Sequence, residues 1–220
     1  EESIRQNTPR RLVYCLPMRI LVEQTVNTAQ KICKKIEEEY PIHVHTLMGG
    51  EIDNDYALYP ENEAILIGTQ DMLLSRALNR GFAASRFRWP LDFGLLNNDC
   101  LWVFDEVQLM DVGVATSTQL EGFRRKLGVF KPVQCAWMSA TLDEKWLDTV
   151  DFDLQWLGDP LSLTDDDLQC KSLKDKYHAV KPLKKSTAEA GDDQQIADAI
   201  IEAHQPGSRT LAVFNTVKRA

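Results

Sequence analysis

The segment Leu101-Trp102-Val103-Phe104-Asp105-Glu106-Val107-Gln108 decides how this chain is interpreted. Four apolar residues run directly into two adjacent carboxylates, and such a continuous apolar run predicts a strand buried in a parallel sheet. Carboxylates at the carboxyl end of that strand lie where open α/β sheets bind ligands. Because Mg²⁺ is usually held by one or two carboxylates together with phosphates, the segment predicts a magnesium and nucleotide site. The alternative is a strand followed by a polar turn, and the segment alone leaves both open.

Strand and helix patterns alternate on both sides of this segment. Apolar residues from Val22 to Tyr40 recur at every third or fourth position, which predicts one face of a long helix. Strands that alternate with helices predict an α/β fold with a parallel, doubly wound sheet. The predicted strands are residues 11–16, 42–47, 64–67, 101–104, 133–138 and 210–214, and the predicted helices are residues 22–40, 72–78, 116–127 and 196–203.

The composition is that of an ordinary globular protein, with 44% hydrophobic and 26% charged residues among 220. No apolar run reaches the 18 residues that a membrane-spanning helix needs, and the polar start does not resemble a signal peptide. The five cysteines are odd in number, widely spaced and without a Cys-x-x-Cys pair, which predicts reduced thiols in a cytoplasmic protein rather than zinc ligands. His43 and His45 are predicted to be structural.

The charge is unevenly distributed along the chain. The net charge of −8 by itself argues against nucleic-acid binding, but residues 143–169 hold nine acids and one lysine, so the rest of the chain is neutral. Residues 72–91 contain four arginines and no acid, and such a local patch is what a phosphate backbone would meet. A solvated or salt-bridged surface is the alternative for these arginines, which are Arg76, Arg80, Arg86 and Arg88.

Three further predicted strand ends carry polar or small residues. They lie at residues 16–19, 68–71 and 139–141. In a parallel sheet these ends share one edge, where hydroxyl groups, backbone N–H groups at helix starts and an arginine can hold phosphates.

With these motifs in this order, the chain resembles the helicases of superfamily 2, and more narrowly the CRISPR-associated helicase–nuclease of type I interference systems. The narrower resemblance depends on the sequence segments TQDMLLSRALNRG, SRFRWP and FDEVQLM. The matching segments are LPMRILVEQT (16–25) for motif Ia, GTQDMLLSRAL (68–78) for motif Ib, DEVQ (105–108) for motif II, SATL (139–142) for motif III and FNTVKRA (214–220) for motif IV.

The resemblance implies roles for five residues around the predicted nucleotide site. Asp105 would bind the Mg²⁺ on the nucleotide phosphates, and Glu106, a second metal candidate, would orient or deprotonate the attacking water. Gln108, where many relatives carry His, would link this site to motif III. Ser139 and Thr141 would contact the nucleotide site and relay its state to the DNA-binding edge. Capping of a helix over residues 143–149 is an alternative role for these two hydroxyl residues, and the two roles are compatible.

The resemblance also implies a DNA-binding edge formed by motifs Ia and Ib. Its residues would hold the backbone of one DNA strand, mostly through phosphates, and they are Pro17, Met18, Arg19, Thr69 and Gln70. Arg76, Arg86 and Arg88 are weaker DNA candidates.

The fold implied by the resemblance is a RecA-like parallel sheet flanked by helices. Residues 1–157 would be an incomplete first motor domain, 158–190 a linker, and 191–220 the start of a second RecA-like domain. The implied activity is that of an ATP-dependent helicase that moves 3′ to 5′ on single-stranded DNA, uses ATP and Mg²⁺ in the complete protein, and unwinds targets marked by an RNA-guided CRISPR surveillance complex.

Several parts expected of such a motor do not occur in the sequence. There is no Gly-x-x-x-x-Gly-Lys-Ser/Thr phosphate loop, nothing after Ala220 supplies the second-domain arginines that complete the ATP site in this superfamily, and there is no His-Asp dipeptide of a nuclease domain. We therefore expect the 220-residue chain alone to be inactive toward ATP. The alternative function is that of a truncated, non-catalytic module that binds DNA or a protein. The residues predict no oligomeric state.

Overall fold

The computed structural model describes residues 8–180, 182–189 and 191–214, and it divides into two compact units, residues 1–160 and 161–220. The first unit alternates strands and helices, as predicted. Its elements are β1 (Arg11–Leu16), α1 (Arg19–Ile36), β2 (His43–Met48), β3 (Glu51–Ile52), β4 (Ala64–Thr69), α2 (Gln70–Ala77), α3 (Trp89–Leu96), β5 (Cys100–Phe104), α4 (Val112–Leu127) and β6 (Val133–Trp137).

The strands form one sheet in the order β3-β2-β4-β1-β5-β6. Only the short β3 is antiparallel to its neighbour, and the other five strands are parallel. Strand β1 lies in the centre, where Leu16 is opposite Thr69 of β4 and Cys15 is opposite Phe104 of β5. The predicted α/β fold with a parallel sheet is confirmed.

Helices cover both faces of the sheet because successive residues of each strand point to opposite sides. On one face, Leu16 and Ile67 pack with Val22 of α1 in a small cluster. On the other face, Cys15 and Trp102 belong to a larger cluster that includes residues of α2, α3 and α4. The sheet is therefore a middle layer whose central strands are buried on both sides, as their continuous apolar runs indicate.

Besides the two-residue strand β3, helix α3 is an element of this region that the sequence pattern did not predict. Its sequence, WPLDFGLL, has apolar residues around the whole helix and therefore lacks the three/four spacing of a single buried face. Pro90 in its first turn is the available start signal. Short helices of this kind are recognised by their ends rather than by their periodicity.

The second unit contains helices α5 (Lys171–Tyr177) and α6 (Asp193–Ala203). Helix α6 agrees with the predicted helix over 196–203, and α5 lies inside the predicted linker. The predicted strand over 210–214 is wrong: these residues have no regular structure, and Leu211 and Val213 are exposed. A strand needs a neighbour for its hydrogen bonds, and the described residues 161–214 include no other strand. Most of motif IV, residues 215–220, lies outside the described residues.

None of the helices in the described ranges has the length and apolar character needed to cross a membrane.

Two of the arginines considered as DNA candidates lie in a buried ionic cluster. Arg76 and Asp92 are both fully buried and form an ion pair at 3.4 Å, and Arg88 pairs with the same carboxylate at 3.3 Å. The Tyr56 hydroxyl donates a hydrogen bond to Asp92 at 2.7 Å, and burial together with this carboxylate raises the pKa of Tyr56. Arg76 is therefore inaccessible to DNA; the salt bridge expected as the alternative is present, but it is buried rather than on the surface.

We predict that Asp92→Asn destabilises the first unit by about 3–5 kcal/mol, because it leaves the buried Arg76 charge without a partner. Urea unfolding followed by tryptophan fluorescence measures this, since all five tryptophans lie within residues 1–160. Asp159→Asn, at an exposed position of the same unit, is the control. Equal unfolding midpoints for the two variants would show that the cluster contributes no stability.

A second prediction concerns the close approach of β2 and β4. A Cβ at Gly68 would lie 2.4 Å from the Leu47 backbone oxygen, so Gly68→Ala forces the two strands apart. We expect a loss of about 1–3 kcal/mol in the free energy of unfolding. Gly94→Ala in α3 is the matched control, since nothing lies within 4 Å of its added methyl group and alanine favours a helix. A midpoint for Gly68→Ala at or above that of the control would contradict the prediction.

Candidate active site

The carboxyl ends of the central strands bring the predicted site residues to one edge of the sheet. Strands β1 and β4 end opposite each other at Leu16 and Thr69, and β5 ends beside them at Phe104. Strand β6 ends at Trp137 opposite Phe104. The segments that follow these four strands are the segments with the motif Ia, Ib, II and III patterns.

Asp105 follows β5 directly and is held by three hydrogen bonds. Its backbone N–H donates to the Cys15 carbonyl of β1 at 3.0 Å, which continues the strand pairing past the end of β5. Its Oδ1 accepts from the Glu106 N–H at 2.9 Å, and its Oδ2 accepts from the Tyr14 hydroxyl at 2.8 Å. The half-buried carboxylate therefore has a fixed position and a fixed plane.

Glu106 has a left-handed backbone, with φ of 55° and ψ of 43°. This conformation is uncommon for a residue other than glycine, and such residues concentrate at functional sites. The next residue is anchored, because the Val107 N–H donates to the Met138 carbonyl at 3.2 Å. The Glu106 carboxylate accepts a hydrogen bond from the Gln108 amide. The turn therefore directs the Glu106 side chain toward the motif III segment.

Gln108 connects the motif II and motif III segments. Its Oε1 accepts from the Ser139 hydroxyl at 2.7 Å, and the same hydroxyl oxygen accepts from the Thr141 N–H at 3.0 Å. The result is a continuous hydrogen-bonded series from Glu106 through Gln108 and Ser139 to the backbone of Thr141. The structure thus brings together the five residues predicted around the nucleotide site, although the Thr141 side chain is at the exposed end.

The alternative of helix capping by Ser139 and Thr141 is wrong. The segment that follows is a short 3₁₀ turn, Glu144–Leu147, and the Asp143 side chain caps it by accepting from the Lys145 N–H. The Ser139 hydroxyl is instead bound to Gln108 and Thr141.

The predicted DNA-binding residues share the edge but differ in accessibility. Met18 and Arg19 are exposed at the start of α1, whereas Pro17 is half-buried. Thr69 is only 8% exposed, so its side chain offers little to a ligand. It precedes the first turn of α2, whose backbone N–H groups lack partners within the helix and suit a phosphate.

Gln70 points toward the start of α4 rather than toward solvent. Its Oε1 is buried without a hydrogen-bond partner among the described residues, and it lies where a Cβ on Gly113 would be only 2.0 Å away. Only glycine at position 113 therefore leaves room for this carboxamide. Gln70 consequently links the motif Ib segment to the helix that follows motif II.

The remaining arginines of the basic patch surround one tryptophan. Arg80 and Arg86 are exposed, and each places its guanidinium about 5.9 Å from the centre of the Trp89 ring. Arg88 is mostly buried by its pair with Asp92. The patch is therefore accessible only at Arg80 and Arg86.

Tyr14 is a site residue that the sequence did not indicate. Burial is the main reason that its pKa is raised to about 12, and the hydrogen bond and charge of Asp105 raise it further. The signal that would have found it is the strand register: Tyr14 lies opposite Val103, and Asp105, two residues later, shares the same face. That register is not visible in a single sequence.

The donor set at this edge fits a magnesium ion. Asp105 and Glu106 supply hard carboxylate oxygens, and neither forms an ion pair with any residue the structure describes. No group of three or more His, Cys, Asp or Glu residues that could hold a metal occurs within the described ranges. Mg²⁺ commonly takes one or two protein carboxylates and completes its shell with phosphates and water.

Comparison with known proteins identifies the family. No curated protein sequence matches the chain. Two solved structures of the DUF1998 helicase MrfA, one bound to DNA and one to DNA and AMPPNP, are similar to it, with TM-scores of 0.46 and 0.45 and 16% identity in each case. Each match covers 66% of this chain and 20% of the MrfA chain, so this chain spans about a fifth of their length. A sequence model of the DEAD/DEAH box helicases matches residues 2–150, more than half of the chain, and the chain therefore belongs to the DEAD/DEAH box helicase family.

Proposed function

We propose that this chain is part of an ATP-dependent helicase that moves along single-stranded DNA and couples ATP hydrolysis to unwinding. The observation that carries the proposal is the hydrogen-bonded series from Glu106 through Gln108 to Ser139, at the same sheet edge as Arg19. A nucleotide site and a nucleic-acid site that share one rigid edge can influence each other.

In the proposed reaction, the chain's own residues position water and phosphate. Asp105 and Glu106 would hold the magnesium ion, which when bound neutralises charge on the nucleotide phosphates. Glu106 would orient the attacking water and accept its proton. Gln108 holds Glu106 in place for that role, and Ser139 holds Gln108. Members of the family generally use ATP and Mg²⁺.

On the DNA side, the exposed Arg19 and the first turn of α2 would bind phosphates of one strand. Gln70 would couple the DNA-binding side of the edge to the nucleotide side, because its carboxamide touches Gly113 at the start of α4. We further propose that residues 1–157 form the first motor domain, 158–190 a linker and 191–220 the start of a second RecA-like domain.

A more specific role, in CRISPR interference, rests on the amino-acid sequences of three segments. TQDMLLSRALNRG, SRFRWP and FDEVQLM support a helicase of CRISPR interference, recruited in the cytoplasm by an RNA-guided surveillance complex to unwind target DNA for degradation. Two of these segments, TQDMLLSRALNRG and FDEVQLM, begin at the carboxyl ends of β4 and β5 and so lie at the site edge.

Glu106→Gln tests the catalytic proposal. In the complete gene product we expect it to slow ATP hydrolysis by about 100-fold or more, because the amide cannot accept the proton of the attacking water. Release of radiolabelled phosphate, with and without single-stranded DNA, measures the rate.

Glu63→Gln is the matched control, since this exposed glutamate precedes the opposite end of β4. We expect it to hydrolyse ATP at the wild-type rate. If Glu106→Gln also hydrolyses at that rate, Glu106 does not have the proposed role.

Salt dependence tests the DNA-binding edge. Because bound phosphates release counterions, the affinity for a single-stranded oligonucleotide should fall steeply with salt, and Arg19→Ala should reduce the log–log slope by about 0.7. Fluorescence anisotropy at several salt concentrations measures both quantities. Lys34→Ala, in the last turn of the same helix, should leave the slope unchanged. An affinity that is flat with salt would indicate a protein partner for this edge instead.

A further inference from the structure

The hydrogen bond between Tyr14 and Asp105 joins a residue of the central strand to the carboxylate of the candidate magnesium site. The Tyr14 hydroxyl lies 2.8 Å from Asp105 Oδ2. Tyr14 belongs to β1, three residues before the motif Ia segment begins to leave the sheet at Pro17. None of the roles proposed above uses this residue.

The strand register explains why the phenol reaches this carboxylate. Tyr14 pairs with Val103 of β5 on one side and with Ile67 of β4 on the other. Alternate residues of a strand share a face of the sheet, so Asp105 lies on the same face as Val103, just beyond the carboxyl end of β5. The Tyr14 ring packs against the small cluster on the α1 face, and its hydroxyl points along this face toward Asp105.

Asp105 differs from Asp92, a fully buried carboxylate that also accepts a hydrogen bond from a tyrosine. Tyr56 donates to Asp92, but two arginines neutralise the Asp92 charge and no part of it is exposed. Asp105 is only half-buried and is held by two neutral donors, the Tyr14 hydroxyl and the Glu106 N–H. No lysine, arginine or histidine of the described chain forms an ion pair with it.

Neutral hydrogen-bond donors hold a carboxylate in position without neutralising its negative charge. Each oxygen of Asp105 accepts one hydrogen bond, and an ionised carboxylate has about four lone-pair positions in all. The remaining lone pairs and the full negative charge stay available to a cation. Hydrogen-bonding partners of this kind orient metal ligands, and their removal weakens metal binding by about 10–100-fold.

We propose that Tyr14 is a positioning residue, whose hydroxyl holds the Asp105 carboxylate in the orientation in which it binds the magnesium ion of the nucleotide. This inference rests on the proposed function, because it assumes that Asp105 binds that ion. It adds a residue of the sheet interior to a site otherwise built from strand ends and turns.

Tyr14→Phe in the complete gene product tests the inference, because it removes the hydroxyl and keeps the ring. The first measurement is the affinity for Mn²⁺ in the presence of AMPPNP, followed by electron paramagnetic resonance. We expect the dissociation constant to rise roughly 10-fold. The second is ATP hydrolysis as a function of Mg²⁺: the concentration for half-maximal rate should rise by a similar factor, and the rate at saturating Mg²⁺ should change much less.

Tyr56→Phe is the matched control, since it removes a phenol hydroxyl from the other tyrosine–carboxylate pair. It should lower the unfolding midpoint and leave the Mn²⁺ affinity unchanged. If Tyr14→Phe lowers stability as well, a double-mutant cycle with Asp105→Asn separates the effects: once Asp105 is changed, loss of the Tyr14 hydroxyl should not weaken Mn²⁺ binding further.

Two results would overturn the inference: wild-type Mn²⁺ affinity in Tyr14→Phe, or fully additive effects on that affinity in the cycle. Either result leaves the proposed function intact as long as Glu106→Gln slows hydrolysis by about 100-fold or more. If Glu106→Gln hydrolyses ATP at the wild-type rate, the proposed function itself fails.

Discussion

The hydrogen bond from the Asp105 N–H to the Cys15 carbonyl is the contact on which the site depends. It extends the pairing of β1 and β5 one residue past the end of β5 and so fixes where the chain turns away from the sheet. Cys15 cannot move, because it is fully buried in the central strand between β4 and β5. The position of the Asp105 carboxylate is thereby set by the sheet interior rather than by the loop to which it belongs.

Two contacts connect neighbouring strand ends around this fixed point. A lateral series of side-chain hydrogen bonds runs from Glu106 to the motif III segment, and a steric contact between Gln70 and Gly113 connects motif Ib to α4. Both cross between elements that are far apart in sequence and adjacent at the sheet edge. Each of these strand ends is therefore connected to a neighbour through one or two side chains.

The strands and the site edge were predictable because their signals are local. Apolar runs such as residues 101–104 and the polar residues that follow them can be recognised in a single sequence. Features that depend on register or on distant partners were not predictable: Tyr14 required the alignment of β1 with β5, and the burial of Arg76 required Asp92 in the unpredicted helix α3. The strand expected over 210–214 failed for the related reason that an apolar segment forms a strand only beside another strand. The roles of the individual site residues stay predictions.

The left-handed backbone at Glu106 carries a consequence for how this sequence can vary. Glycine or asparagine would adopt that conformation more easily, and a glutamate there costs the fold about 1 kcal/mol. A glycine at position 106 would relieve this backbone strain but would remove the carboxylate that Gln108 contacts, so the stability of the fold and the proposed chemistry favour different residues at this position.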